Sequence, residues 1–282
     1  MVNIAVKLQK CGIELTKIIP LNIADRIAHF IGSVCYFFFK KKRGYILRNL
    51  YYILPLNPDL HPYLCRRTFE NFARCMIDFF RLGFLKKDEV IKNVILQGLE
   101  NLDAALQYKN GCILITLHIG NWDYAGSYLA ARGYPMNALV EETGPEMFQL
   151  YTRHREATGL KTFPVSRASY AFLDTIKNNH ILAVLVDRDI TRQGTVLSFF
   201  SGKRSFPVNF ASLIVKRKIP VLTGYMVLLN KKDYKQRYLG AIEPMKIFNS
   251  EKEFNAYITE RFEAIITQYP DQWFVFHPEW IE

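Results

Sequence analysis

The chain predicts an α/β fold, a three-layer αβα sandwich around a mainly parallel sheet, with a helical region at its N-terminal end. Three observations predict it. From about residue 94, short β-rich runs alternate with helical stretches, the pattern of a parallel sheet covered on both faces. Two of those runs, Cys-Ile-Leu-Ile-Thr-Leu at 112–117 and Ile-Leu-Ala-Val-Leu-Val at 181–186, are almost wholly apolar, as central strands are. The first 90 residues instead carry apolar positions three or four apart. A length of 282 residues accommodates one large domain with a helical addition, divided here into 1–90 and 91–282.

The elements follow in order. In the first helical stretch Ile23, Ile27, Phe30, Ile31, Val34 and Phe38 form one stripe, and Asp25, Arg26 and His29 fall away from it. The stretch ends in Tyr36, three phenylalanines, three lysines and Arg43. Rings among acyl chains and headgroups, followed by cations that reach lipid phosphates, are the needs of an interfacial helix. The first fifty residues hold nine Lys or Arg against Glu14 and Asp25. The apolar run 27–39 is shorter than the roughly 20 residues of a spanning helix, so the region reads as membrane-docking, peripheral or with one short anchor.

Strands are expected at 94–97, 112–117, 137–140, 161–165 and 181–186. Helices are expected at 99–108, 122–132, 145–158 and 170–178. Gly111, Gly133 and Gly159 stand just past three of these helices. Two longer strands, 220–229 and 236–242, are expected to turn at Lys231-Lys232-Asp233. A final helix, 250–269, opens with Ser250 and Glu253 and stops at Pro270.

Composition narrows the function. Half the residues are hydrophobic, which excludes a disordered chain, and the net charge of +11 calls for an anionic partner. The five cysteines form no CxxC pair, and Cys35, Cys75 and Cys112, with apolar neighbours, read as reduced core thiols of a cytoplasmic protein. No cleavable signal pattern opens the sequence. GxSxG, HExxH, Walker A and GxGxxG are all missing, and the histidines lack metal-ligand spacing.

The chemistry centres on His118-Ile119-Gly120-Asn121-Trp122-Asp123. A spacing of five puts His118 and Asp123 about 140° apart on a helix and on opposite faces of a strand. A turn at the carboxyl end of 112–117, permitted by Gly120 and Asn121, is needed to bring them together. Asp123 is then expected to fix the imidazole tautomer and leave the other nitrogen as a base for a hydroxyl. N–H groups opening the next helix are placed to meet an oxyanion. Asp187, Arg188 and Asp189 also follow a buried strand. Arg188 is read there as a phosphate or oxyanion partner, or as part of a network holding a loop at 199–207. Lys203, Arg204, Lys216, Arg217 and Lys218 read as a second basic cluster facing donor, membrane or solvent.

The HxxxxD element with its internal Asn121-Trp122 resembles the lipid A biosynthesis acyltransferase family, including phosphatidylinositol mannoside acyltransferase-like members. Three further blocks carry the resemblance: 186–189; Phe199-Phe200-Ser201-Gly202 with Phe206-Pro207; and Tyr269-Pro-Asp-Gln-Trp273 with Phe276-His277-Pro278. The segment 202–208 departs from the small-residue turn of such relatives. The resemblance implies a glycerolipid-acyltransferase-like fold and direct attack on an acyl thioester without an acyl-enzyme. His118 and Asp123 match the family dyad. Glu141 and Arg155 match residues near a sugar acceptor, and Asn121, Asp187 and Arg188 complete the expected substrate-binding set.

The expected activity is transfer of a fatty acyl group from acyl-CoA or acyl carrier protein to a hydroxyl of a glycolipid, a lipid A precursor or a mannosylated phosphoinositide. The thioester enters as substrate; no cofactor, metal or nucleic acid is expected. The expected setting is a monomer on the anionic cytoplasmic face of the inner membrane. A thioesterase using water, and a basic lipid- or nucleic-acid-binding module, are the competing readings.

Overall fold

The computed structural model describes residues 4–142, 144–229 and 236–281. The chain opens with α1 (Ile4–Ile18), α2 (Leu21–Phe38), α3 (Lys40–Ile53), α4 (His61–Leu82) and α5 (Lys87–Lys92). Alternation begins with β1 (Val94–Gln97), α6 (Leu99–Leu106), β2 (Cys112–Thr116), α7 (Trp122–Ala131) and β3 (Met136–Val140). It continues through α8 (Pro145–Glu156), β4 (Lys161–Pro164), α9 (Ala168–Asn178) and β5 (Ile181–Leu185). The remainder is β6 (Thr195–Phe199), β7 (Gly202–Phe206), α10 (Ala211–Arg217), β8 (Val221–Leu228), β9 (Tyr238–Ile242), α11 (Glu251–Gln268) and β10 (Trp280–Ile281).

The main sheet has the order β1-β9-β8-β2-β5-β3-β4. Its pairs are parallel except β8–β9. The expected turn at 231–233 lies outside the described residues. The two faces of the central strands feed two apolar cores, as strand alternation requires. Ile113 and Ile115 pack with Phe172, Ile214 and Phe254 of the helices on one side. Cys112 and Leu114 pack with Phe79, Leu102 and Tyr128 on the other. The sheet is thus the middle of three layers, and α4 from the N-terminal region contributes to one core. Ser250 caps α11 by accepting from the Glu253 N–H at 3.2 Å, as the sequence predicts.

The segment 199–207 is not a loop. It belongs to the β6–β7 hairpin, which joins β10 in a second, antiparallel sheet. Charged Lys203 and Arg204 hide its strand alternation in the sequence.

Helix α2 buries its small side: Ala24, Ala28, Gly32 and Ser33, with Asp25. A Cβ at Gly32 would lie 2.5 Å from the Glu70 Cα, so glycine sets how closely α2 lies on α4. The predicted apolar stripe faces outward, with Phe30 68 % and Phe38 78 % exposed, and Phe39 just beyond the helix is exposed too. On α1, Leu8, Leu15 and Ile18 are exposed as well. Beneath α2 the Asp25 carboxylate accepts from Arg74 Nε at 2.8 Å and Arg237 Nη2 at 2.6 Å. Asp78 accepts from Arg237 Nε at 2.5 Å and from the Tyr238 hydroxyl. Among the described residues no helix is long and apolar enough to cross a membrane.

Candidate active site

The loop after β2 is held from two sides. The His118 carbonyl accepts from the Phe274 N–H at 2.7 Å, and the Gly120 N–H donates to the Gln272 carbonyl at 2.8 Å. On the other side the Asn121 N–H donates to the Met226 carbonyl at 2.9 Å. Gly120 sits at φ +54°, and a Cβ there would run into that same Met226 carbonyl. Both facts demand glycine.

Asn121 is 3 % exposed and caps α7, its Oδ1 accepting from the Tyr124 N–H at 3.0 Å. Its Nδ2 donates to the Cys75 carbonyl at 3.2 Å and to the Tyr238 hydroxyl at 2.8 Å. Both polar atoms of the side chain are engaged by the scaffold.

The acid on His118 is Asp187. Its Oδ1 lies 2.7 Å from the imidazole Nδ1. Its Oδ2 accepts from the His118 main-chain N–H at 3.0 Å and the Trp273 indole N–H at 2.8 Å. Sheet register explains the meeting. Thr116 on β2 pairs with Leu185 on β5, so two residues further along each parallel strand His118 stands beside Asp187. Burial alone would raise the Asp187 pKa. The His118 charge and the three hydrogen bonds outweigh it and bring the carboxyl from 3.8 down to about 2. Nδ1 is engaged, and among the described residues nothing hydrogen-bonds Nε2, while the ring lines a cavity.

Asp123 does not reach that imidazole as a partner. It accepts from Arg155 Nε at 2.7 Å and, through Oδ2, from Nη2 at 3.4 Å. The Arg155 guanidinium also lies over the Phe79 and Tyr151 rings at 5.6 and 5.7 Å. The predicted His118–Asp123 hydrogen bond is replaced by this one. Glu141 is near Arg188, Oε2 to Nη1 at 3.5 Å, and Arg188 Nε lies 3.7 Å from Glu279. Asp189 holds the hairpin, accepting from Ser205 Oγ at 2.6 Å and the Gly194 N–H at 2.8 Å.

His118, Asp123, Glu141, Arg155 and Arg188 all line one cavity of about 1390 Å³, larger than the usual drug-sized site. Asp187 stands behind His118, 1 % exposed.

Two residues escaped sequence reasoning. Trp273 holds the far oxygen of Asp187; its signal was the 269–273 block, which gave no role. Arg204 is fully buried, not part of a surface cluster. Its Nη2 donates to the Asp187 carbonyl at 2.8 Å, and its guanidinium lies 4.6 Å from the Trp273 ring centre. Burial lowers its pKa to about 10, against the pull of Asp187 and Glu279, and it remains a cation at neutral pH.

A histidine held by a buried carboxylate thus opens on a large and mainly apolar space within an α/β fold. The chain is a member of the bacterial lipid A biosynthesis acyltransferase family, whose pattern matches residues 6–282, and it is accordingly a lipid acyltransferase. It is similar to the phosphatidylinositol mannoside acyltransferase of Mycobacterium tuberculosis (strain ATCC 25618 / H37Rv), with 28 % identity over 246 residues, 83 % of this chain and 76 % of the relative. The protein of the same name from Mycolicibacterium smegmatis is 25 % identical over 243 residues, 83 % and 78 % of the two chains.

Proposed function

We propose that the protein moves a fatty acyl group from an acyl thioester to a hydroxyl of a glycolipid, with His118 as general base and Asp187 as the acid that orients it. The observation that carries this reading is the His118–Asp187 pair at the cavity, with Nε2 free to act. Asp187 fixes the proton on Nδ1. Nε2 then takes the proton of the acceptor hydroxyl as its oxygen attacks the thioester carbonyl. First-turn N–H groups of α7 offset the charge on the carbonyl oxygen. When the C–S bond breaks, the thiolate recovers the proton from the imidazolium. Glu141 accepts from sugar hydroxyls beside the base, and Arg188 faces the same opening.

The acceptor is a lipid A precursor or a mannosylated phosphoinositide, and the donor acyl-CoA or acyl carrier protein. The exposed apolar stripes of α1 and α2, beside Lys40 and Lys41, dock the protein on an anionic membrane surface, the cytoplasmic face of the inner membrane. The test is transfer of label from radiolabelled palmitoyl-CoA into a total lipid extract by wild type and His118→Ala. A glycolipid labelled by wild type alone supports the reading. A product formed equally by both proteins removes His118 from the chemistry.

A further inference from the structure

Arg204 is fully buried, yet its place is not that of an ion pair. Its Nη2 donates to the Asp187 main-chain carbonyl at 2.8 Å, and among the described residues Nε and Nη1 find no hydrogen-bond partner. Rings surround the guanidinium instead: its carbon lies 4.6 Å from the Trp273 ring centre, 5.1 Å from that of Trp280 and 5.9 Å from that of Phe199. Burying a cation with so little pairing is costly, and a methionine would fill similar space without that cost. Stability therefore does not call for arginine at this position. What arginine adds is a hold on the main chain of Asp187.

That hold falls where the sheet stops supplying one. Strand β5 ends at Leu185, and the Val186 N–H still donates to the Thr116 carbonyl at 3.2 Å, so Asp187 stands just past the ladder. Its two ends are then gripped by two side chains that lie against each other. Arg204 takes the main-chain carbonyl, and the Trp273 indole N–H takes carboxylate Oδ2 at 2.8 Å. The grip is itself anchored. Arg204 pairs in register with Leu197 of β6 and Trp280 of β10, and the Trp280 indole donates to Asn49 Oδ1 on α3 at 2.7 Å. The next residue on β7, Ser205, holds Asp189. The hairpin thus clasps the segment 187–189, while Asp187 Oδ1 lies 2.7 Å from the His118 ring. An aspartate carboxylate sits on a short side chain, so a shift of its peptide carries the carboxylate with it.

Resting on the acyl-transfer reading, we infer that Arg204 is a positioning residue for the reaction. It fixes the Asp187 peptide so that the carboxylate stays in line with His118 Nδ1, and its effect on transfer runs through Asp187. Without it both residues remain and their hydrogen bond loosens. Small errors of position at a reacting pair lower turnover, and Arg204 does not line the cavity, so substrate binding has no reason to change.

The test compares wild type, Arg204→Met, Asp187→Asn and the double variant, with His118→Ala as control. Transfer from radiolabelled palmitoyl-CoA into lipid extract gives kcat and KM, and thermal unfolding gives stability. Arg204→Met is expected to lower kcat about tenfold with KM kept within about twofold. Its thermal midpoint should equal or exceed that of wild type, because a buried charge is replaced by an apolar chain. In the Asp187→Asn background the same substitution should change kcat by less than about twofold, since the group it positions is already gone. A tenfold loss in both backgrounds overturns the inference, as does an unchanged kcat or a loss confined to KM. Should Arg204→Met fail to fold, Arg204→Lys makes the same comparison. It keeps the charge without the flat fork, and should lose about threefold in kcat in the wild-type background alone; full activity, or an equal loss in both backgrounds, is the contrary result. Wild-type rates in His118→Ala and Asp187→Asn would remove the proposed mechanism itself. Large losses in those two with an unaffected Arg204→Met would remove only the role of Arg204.

Discussion

Asp187→Asn separates two accounts of how the His118 imidazole is held. The carboxylate takes three hydrogen bonds: from the His118 ring at 2.7 Å, the His118 main-chain N–H at 3.0 Å and the Trp273 indole at 2.8 Å. All three partners are donors when Nδ1 carries the proton. An amide keeps the size of the group but offers one oxygen and one NH2, so at least one donor meets another donor. A hydrogen bond to a charged group contributes roughly 1.5–3 kcal/mol, and the imidazole can recover one only by taking the other tautomer. That tautomer puts the proton on Nε2, where the base is needed. General-base catalysis contributes about 10²–10⁴ in rate, so kcat for acyl transfer should fall by that factor with little change in KM. Asp123→Asn is the companion. Asp123 is bonded to Arg155 rather than to the base, so its loss should act on the α7–α8 wall, raising KM more than it lowers kcat. Both are measured with radiolabelled palmitoyl-CoA and the acceptor lipid over a pH series. If Asp187→Asn keeps its kcat while Asp123→Asn falls to the level of His118→Ala, the geometry argued here is wrong.

Four further outcomes are expected. The Asp187 carboxyl is lowered from 3.8 to about 2, so its stabilising contribution, about 2 kcal/mol, is present above pH 4 and lost as pH falls through 2. Denaturant midpoints of wild type and Asp187→Asn should therefore converge on acidification, and a constant gap down to pH 2 would contradict it. Gly120→Ala meets both a left-handed backbone and the Met226 carbonyl, and should lower the thermal midpoint and abolish transfer together; a stable, active variant would show that the loop can move. Phe30→Ser with Phe38→Ser leaves the buried side of α2 intact, so thermal stability should hold while sedimentation with anionic vesicles weakens about 10²-fold, each ring counted at about 1.5 kcal/mol. Unchanged binding would move the docking surface elsewhere. Arg237→Met removes the cation that bridges Asp25 and Asp78, leaving Asp25 with Arg74, and should cost roughly 3–5 kcal/mol in urea unfolding; a loss under 1 kcal/mol would mean the pair adjusts.

What the sequence shows is what local spacing can encode. The runs 112–117 and 181–186 announce central strands because burial on both faces leaves no polar alternation. The stripe from Ile23 to Phe38 announces an amphipathic helix, and the four rings from Tyr36 to Phe39 before a run of lysines foretell that it faces away from the core. The hairpin from Thr195 to Phe206 stays hidden, because Arg204 occupies an inward position among aromatic rings that sequence logic reserves for apolar residues. The partner of His118 is hidden for a deeper reason. A parallel sheet sets the carboxyl ends of distant strands side by side, so a pairing 69 residues apart is fixed by register and leaves no trace in spacing. The HxxxxD spacing locates the loop and its histidine, because the turn at Gly120 is local. It does not assign the acid, because Asp123 already lies in the first turn of α7, where it meets the last turn of α8 through Arg155. The two carboxylates thus divide the work by position. The one delivered by the neighbouring strand orients the His118 imidazole, and the one delivered by the motif ties together the helices that wall the cavity.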